Sequence, residues 1–218
     1  MGSVQLSMFV PLSPSRNIPY CETWDFNGVD TQYGVHGIHT YLAAMIPQLA
    51  RRLIEMYVPP RGVILDPFCG GGSVLAEAIM AGREAVGIDV NELGVLISRA
   101  KTTYINPDKA RLTLQNILNE ASSYNGPSIG FKRLDNIHFW FKEYMLQPLT
   151  ALRCAIDHIL PKESKLRTLF MVIFSATVRD VSLTRRNEIR LRRMPICLVS
   201  KLGHCKLPLL MFWPDVQH

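Results

Sequence analysis

No paired cysteine motif occurs in the sequence. Cys21, Cys69, Cys154, Cys197 and Cys205 are scattered without C-x-x-C spacing, which excludes a written zinc site or a thioredoxin-type redox pair. An odd, unpaired set of this kind suits a reducing cytoplasm. Long apolar runs are absent too. The apolar run at residues 169–176 is far too short to span a bilayer, and no basic segment followed by an apolar stretch opens the chain as a secretory leader would. The expectation is a soluble protein. There is no internal repeat, and Gly and Pro stand at ordinary levels, so neither a repeat array nor disorder is the default.

Acidic residues are in deficit. Against 18 Asp and Glu stand 24 Lys and Arg, a formal net charge of +6. Charge of this sign favours a polyanionic partner, nucleic acid among them. The sharpest excess holds Arg179, Arg185, Arg186, Arg190, Arg192 and Arg193, opposed only by Asp180 and Glu188. Its functional reading is phosphate contact, which adds affinity without sequence readout. Its bland reading is a solvated helix face.

What is present is one substantial core's worth of chain, 218 residues of which 48% are hydrophobic. Residues 1–35 carry Pro11, Pro14 and Pro19 with little periodicity and read as an extended arm. From Tyr41 to Tyr57, Leu42, Met45, Ile46, Leu49, Leu53, Ile54 and Met56 recur at helical spacing, with Arg51 and Arg52 on the other face. After the break at Pro59-Pro60-Arg61-Gly62, Val63, Ile64 and Leu65 make a buried strand ending at Asp66, and a small-residue helix occupies residues 74–80. A second strand spans residues 85–88. Helices are expected at residues 92–103, 108–122 and about 149–160. Residues 166–178 are apolar enough for a buried helix or strand, and periodicity does not choose between them. The domain division is an arm at 1–35, a cofactor-binding domain at 36–194 and an unassigned tail at 195–218.

The chemistry concentrates between the two strands. Asp66-Pro67-Phe68-Cys69-Gly70-Gly71-Gly72-Ser73 joins strand to helix, where glycines let a backbone approach a ligand and the helix start offers free N–H groups. A glycine-rich turn alone is weak, because ordinary tight turns use the same residues. Asp89, at the end of the next strand, adds an acceptor suited to ribose hydroxyls. The strand-loop-helix-strand order with an acid there is the pattern of nucleotide-binding α/β folds.

These residues resemble a known family. Asp66-Pro67-Phe68-x-Gly70-x-Gly72-Ser73 is similar to the first motif of class I methyltransferases acting on exocyclic amino groups, and Gly87-Ile88-Asp89 to their second. The resemblance implies a Rossmann-like α/β fold, here an incomplete parallel sheet flanked by helices, and S-adenosyl-L-methionine as cofactor. It puts the loop, Asp66 through Gly70 with Gly72 and Ser73, near the methionine part of that cofactor, and Asp89 with its neighbour Val90 at the ribose. Dinucleotide enzymes use G-x-G-x-x-G without the preceding Asp-Pro-Phe, so NAD fits less well. Upstream, His36-Gly37-Ile38-His39-Thr40-Tyr41 and Ile46-Pro47 resemble the family's helix-opening motif, which implies that His39 and Tyr41 help enclose the methionine end; Leu42 and Ala44 stand where that pattern has Pro and Lys. Two histidines so spaced could otherwise be a metal pair, but no third ligand is visible. Downstream, residues 174–185 resemble a segment found before the catalytic motif in some bacterial and archaeal DNA methylases, which points to a prokaryotic cytoplasmic enzyme with Arg179, Arg185, Arg186 and Arg190 on DNA. The resemblance runs over about residues 33–194.

One family feature is missing. The catalytic loop, a polar Asp, Asn or Ser followed by Pro-Pro and an aromatic, orients the target amine and stacks on the flipped base. The only Pro-Pro pair is Val58-Pro59-Pro60-Arg61, which lacks both flanking members and reads as a turn. No catalytic residue is therefore assigned. The expectation is a cofactor-binding subunit or half of a DNA methyltransferase, acting on the exocyclic amino group of adenine or cytosine and needing a second chain that carries the loop. The alternatives are an inactive S-adenosylmethionine-binding remnant and an RNA guanine methyltransferase fragment.

Overall fold

In the computed structural model, residues 24–128 and 136–184 are described. Two short parallel strands, β1 (Val63–Asp66) and β2 (Glu84–Gly87), pair in the register Val63 to Glu84 through Asp66 to Gly87. Parallel neighbours need a crossover. Here it is α2 (Ser73–Met80), packed on both strands. Around this unit lie α1 (Pro47–Tyr57), α3 (Glu92–Thr102), α4 (Pro107–Ser122), the single turn α5 (Ile137–Trp140), α6 (Glu143–Ile159) and α7 (Lys165–Val181), with a 3₁₀ turn at Gly34–Ile38. The result is a helix-rich, Rossmann-like α/β arrangement with an incomplete parallel sheet.

Local chemistry explains most boundaries. Asn91 caps α3 by accepting from Leu93 N, and Asn106 caps α4 by accepting from Lys109 N at 3.0 Å. In α3, Glu92 in the first turn and Arg99 and Lys101 in the last complement the helix dipole. Helix α1 starts at Pro47, not at Tyr41. Proline presets the first helical position, and it disfavours helical backbone in the residue before it, so Ile46 is extended (ψ 125°). Residues 41–46 form a turn in which Ala43 takes φ +57°, and the apolar spacing there belongs to no helix. Helix α6 begins six residues before the expected start, with Pro148 inside it. The carbonyl deprived of its donor belongs to Tyr144, an exposed residue, while Leu146, Leu149 and Thr150 are buried on both sides of the proline and carry the helix through.

The apolar segment that periodicity left undecided is α7, and it joins the two halves of the core. Phe170 enters a cluster with Leu114 and Ile117 of α4 and Ile156 of α6, whereas Val172 packs against Ile97 and Ala100 of α3. Burying a side chain such as Phe170 stabilises by about 1.5–3 kcal/mol. The strands fare differently. The sequence leads one to expect Val63 and Leu65 buried, yet both are 61% exposed: they share one sheet face, and that face is left uncovered among the described residues, where β1 pairs only with β2 and its other edge is open. No helix among the described residues is long and apolar enough to cross a membrane.

Candidate functional site

The loops leaving β1 and β2 are tied to each other. Ile88 N donates to Asp66 O at 2.9 Å and Cys69 N to Ile88 O at 3.0 Å, so the sheet's pairing continues into the loops. Asp66 Oδ1 accepts from Phe68 N at 3.1 Å, bending the chain at Pro67. Gly72 then starts α2 at φ +73°, and a Cβ there would lie 2.8 Å from Ser98 Cα. Both conditions demand glycine. Ser98 also donates to Gly70 O at 2.8 Å, fixing α3 against the loop.

Asp89 closes the arrangement. Its Oδ2 accepts from Gly70 N at 2.7 Å and its Oδ1 from Asn91 N at 2.8 Å. These two N–H donors, Asn91's first, hold its carboxyl below the usual carboxylate range. Each oxygen keeps acceptor capacity beyond its backbone bond. A charged acceptor thus stands at the carboxyl end of the sheet, where open α/β sheets bind ligands.

A cleft of about 430 Å³ opens there, and Asp66, Phe68, Cys69, Gly70, Ser73, Asp89 and Tyr41 all line it. Of the other residues expected at the site, Pro67, Gly72 and Val90 lie in the same two loops but not on its wall, and His39 lines an adjoining cleft. Phe68 is 87% exposed at the mouth. Burial pushes the Cys69 thiol up, the opposite of what a nucleophile needs. The space over Gly70 and Gly71 is taken by Tyr41, since a Cβ at either glycine would lie 2.7 Å from its side chain. Asn91 Nδ2 donates to the Tyr41 hydroxyl at 3.1 Å. The opposite wall is made by residues 42–45; the helix-opening resemblance covers this segment, but the helical spacing of 41–57 conceals the turn it makes.

Behind that wall the fully buried Glu77 of α2 collects three donors. Tyr33 Oη donates to Oε1 at 2.6 Å, His36 Nε2 to Oε1 at 2.8 Å and Arg51 Nε to Oε2 at 2.7 Å. Burial first, then the bond to Glu77, raises the Tyr33 hydroxyl to about 12. His39 is differently engaged: Nδ1 donates to Thr40 O at 2.9 Å, which leaves Nε2 to accept from Ser175 Oγ at 3.2 Å. Burial lowers the pKa of both histidines. Among the described residues no group of three or more His, Cys, Asp or Glu side chains could hold a metal ion.

Of the arginines expected on nucleic acid, Arg179 sits in the last turn of α7. Arg185, Arg186 and Arg190 lie outside the described residues, as do residues 195–218 and the first 23 of the arm.

The family model N6_N4_Mtase, described as a DNA methylase, matches residues 13–98. Type II methyltransferase M.MvaI of Kocuria varians is 37% identical over 181 residues, 78% of this chain and 39% of the relative. Type II methyltransferase M.MjaII of Methanocaldococcus jannaschii is 31% identical over 91 residues, 42% of this chain and 17% of the relative. The tRNA (guanine(10)-N2)-dimethyltransferase of the same organism is 40% identical over 48 residues, 22% of this chain and 14% of the relative. The chain spans well under half the length of each of these relatives. No solved structure gives a significant match. The glycine loop and Asp89 fall inside the matched segment, so the part of the chain that carries the candidate site is the part similar to DNA amino-methyltransferases.

Proposed function

We propose that this chain supplies the S-adenosylmethionine-binding part of a DNA methyltransferase, which methylates the exocyclic amino group of adenine or cytosine in a prokaryotic cytoplasm, with residues 36–194 as the cofactor-binding domain. The observation that carries the reading is the convergence of Asp66 and Asp89 on one cleft at the ends of paired parallel strands. The Asp89 carboxylate, already oriented by Gly70 and Asn91, accepts from ribose hydroxyls with its remaining lone pairs. Two carboxylates on one wall favour a ligand carrying positive charge. The sulfonium supplies an activated methyl group when the cofactor is bound; this chain's residues bind and orient it. Asp66, with the turn it makes to Phe68, shapes the loop against the methionine part. Arg179, Arg185, Arg186 and Arg190 add phosphate contacts on the DNA.

A second protein chain supplies the polar-Pro-Pro-aromatic loop in this reading. The open edge of β1 with the exposed Val63 and Leu65 supports it, since apolar strand edges are normally covered. The short match to a tRNA guanine methyltransferase keeps one alternative, an RNA-modifying fragment. A remnant that binds the cofactor without transferring the methyl group is the other.

Calorimetric titration of S-adenosylmethionine into the wild-type chain and into Asp89→Asn tests the cofactor reading. The amide keeps the shape but loses charge and acceptors, and affinity is expected to fall about tenfold or more. Equal affinities, or no binding by wild type, overturn it.

A further inference from the structure

The two faces of the β1–β2 sheet are unequal. One is covered: a Cβ on Gly87 would run into Leu75 of α2 and into Cys69, so Gly87 and Ala85, with Asp66 and Ile64 beside them in the register, face α2. The alternate positions, Val63 and Leu65 of β1 and Val86 of β2, face the other way. Ile88 follows Val86 on that side, where the pairing continues into the loop through Ile88 N and Asp66 O. All four side chains are more than half exposed. The register sets Leu65 beside Val86, so they form one contiguous apolar strip, and Glu84, across from Val63, puts a carboxylate at its end. Contiguous apolar surface of this kind marks a place where another piece of protein belongs.

Nucleic acid does not suit the strip, which offers no cation to a phosphate. A cover of matching chemistry lies on the same chain. The described residues run to Thr184. Residues 195–218, beyond the segment that resembles the methyltransferases, hold two apolar runs, Ile196-Cys197-Leu198-Val199 and Leu209-Leu210-Met211-Phe212-Trp213, with Lys201 and Lys206 between them. Such runs gain by leaving water for the same reason that the strip does. Residues 185–195, fully extended, reach about 35 Å, enough to carry the first run from the end of α7 across much of a domain of this size. Because it is tethered, the segment meets the strip at an effective concentration in the millimolar range, ahead of any separate chain.

We propose that residues 195–218 are the cover of the open sheet face, with their apolar runs on Val63, Leu65, Val86 and Ile88 and a lysine from between the runs beside Glu84. The segment takes the face of the sheet and leaves the backbone edge of β1 to a partner's strand. The docking is independent of the cofactor: it follows from the uncovered strip and from the composition and reach of the residues after Thr184.

Crosslinking within the 218-residue chain tests the docking, because Cys197 and Cys205 supply native thiols in the proposed cover. Leu65→Cys places a further thiol on the strip, and Leu112→Cys places one at a similarly exposed position on α4. With a short bis-maleimide at low protein concentration, Leu65→Cys is expected to link to Cys197 or Cys205 of its own chain about tenfold or more above Leu112→Cys, as read by peptide mapping. Equal linking at the two positions, or links between separate chains alone, overturns the proposal. An apolar fluorescent dye gives a second reading that does not depend on Leu65→Cys folding. In the otherwise unaltered chain, Leu210→Asp combined with Phe212→Asp is expected to raise dye binding severalfold as the strip is uncovered. A fall in dye binding, or no change, shows that the runs do not lie on the strip, and the proposal fails.

Discussion

At the residue scale, three buried titratable groups, His36, His39 and Lys101, and the half-buried Tyr33 set how stability follows pH. His36 faces Glu77, Arg51, Tyr33 and Lys101; His39 faces Thr40, Ser175, Arg179, Lys101 and Asp180. Burial lowers both below the ordinary 6.5, so the unfolded chain takes up protons first as pH falls. Their contribution to stability is complete above about 6.5 and is lost on acidification. Lys101 acts in the same direction on the alkaline side. Its folded value of about 8 lies under the ordinary 10.5, so stability rises between those two values as the unfavourable buried charge is discharged. Tyr33 reverses the trend. With its hydroxyl raised from 10.0 to about 12, stability falls once the unfolded phenol begins to ionise above about 10. Chemical denaturation of the ligand-free chain is expected to show stability climbing from pH 5.5 to about 10 and then declining. The Lys101→Met chain is expected to be more stable than wild type near neutrality, on the order of 1–3 kcal/mol, with a flatter alkaline limb. A profile with its maximum below pH 7 contradicts the assignment.

At the scale of elements, Glu77 fastens α2 to the 3₁₀ turn through His36, to the residue before that turn through Tyr33, and to α1 through Arg51. Glu77→Gln leaves these donors facing a neutral amide, one end of which is itself a donor. The Arg51 side chain is 46% exposed, so the expected cost is that of charge-assisted hydrogen bonds, about 1.5–3 kcal/mol in urea unfolding, and Tyr33→Phe alone is expected to cost nearer 1 kcal/mol. Neutral behaviour of Glu77→Gln refutes the network's structural role. The same elements show what a sequence discloses. The unit β1, α2 and β2 was legible because Pro59-Pro60-Arg61-Gly62 and the glycine loop punctuate it and the apolar runs between are short. The start of α6 was not, because a proline inside a helix is tolerated where burial on either side carries the turn through. The chemistry divides in the same way. Asp66 and Asp89 announce themselves by position in a local pattern, whereas Glu77 acquires meaning only from partners tens of residues away, and Lys101 and Nδ1 of His36 only from the burial the fold imposes.

At the scale of the molecule, what the chain holds and what it lacks combine into one prediction about activity. It carries a glycine loop, an oriented Asp89 and a basic stretch, but no tetrapeptide that could orient an exocyclic amine. That amine's lone pair is conjugated with the base, so positioning the donor leaves proximity and electrostatic preorganisation incomplete. The isolated chain with saturating S-adenosylmethionine is expected to leave mixed-sequence DNA unmethylated, and a partner chain bearing the loop is expected to restore transfer. In the reconstituted enzyme, Arg179→Gln is expected to weaken DNA binding about equally on any sequence and to flatten its salt dependence. Robust turnover by the chain alone places catalytic residues within it and overturns the split reading.

The carboxylate of Glu77 also bears on the order in which the chain assembles. Its three donors come from residues 44, 41 and 26 positions upstream, so none of them meets its acceptor until α2 has been made and folded back. Until then a charge bound for the interior has no reason to leave water, and the stretch from Tyr33 to Arg51 lacks its buried acceptor. That stretch and α2 therefore gain structure together, as one cooperative unit and not as two independent pieces. The cleft wall between Tyr41 and Pro47 is strung across that unit, and the cleft takes its shape only when the unit has closed.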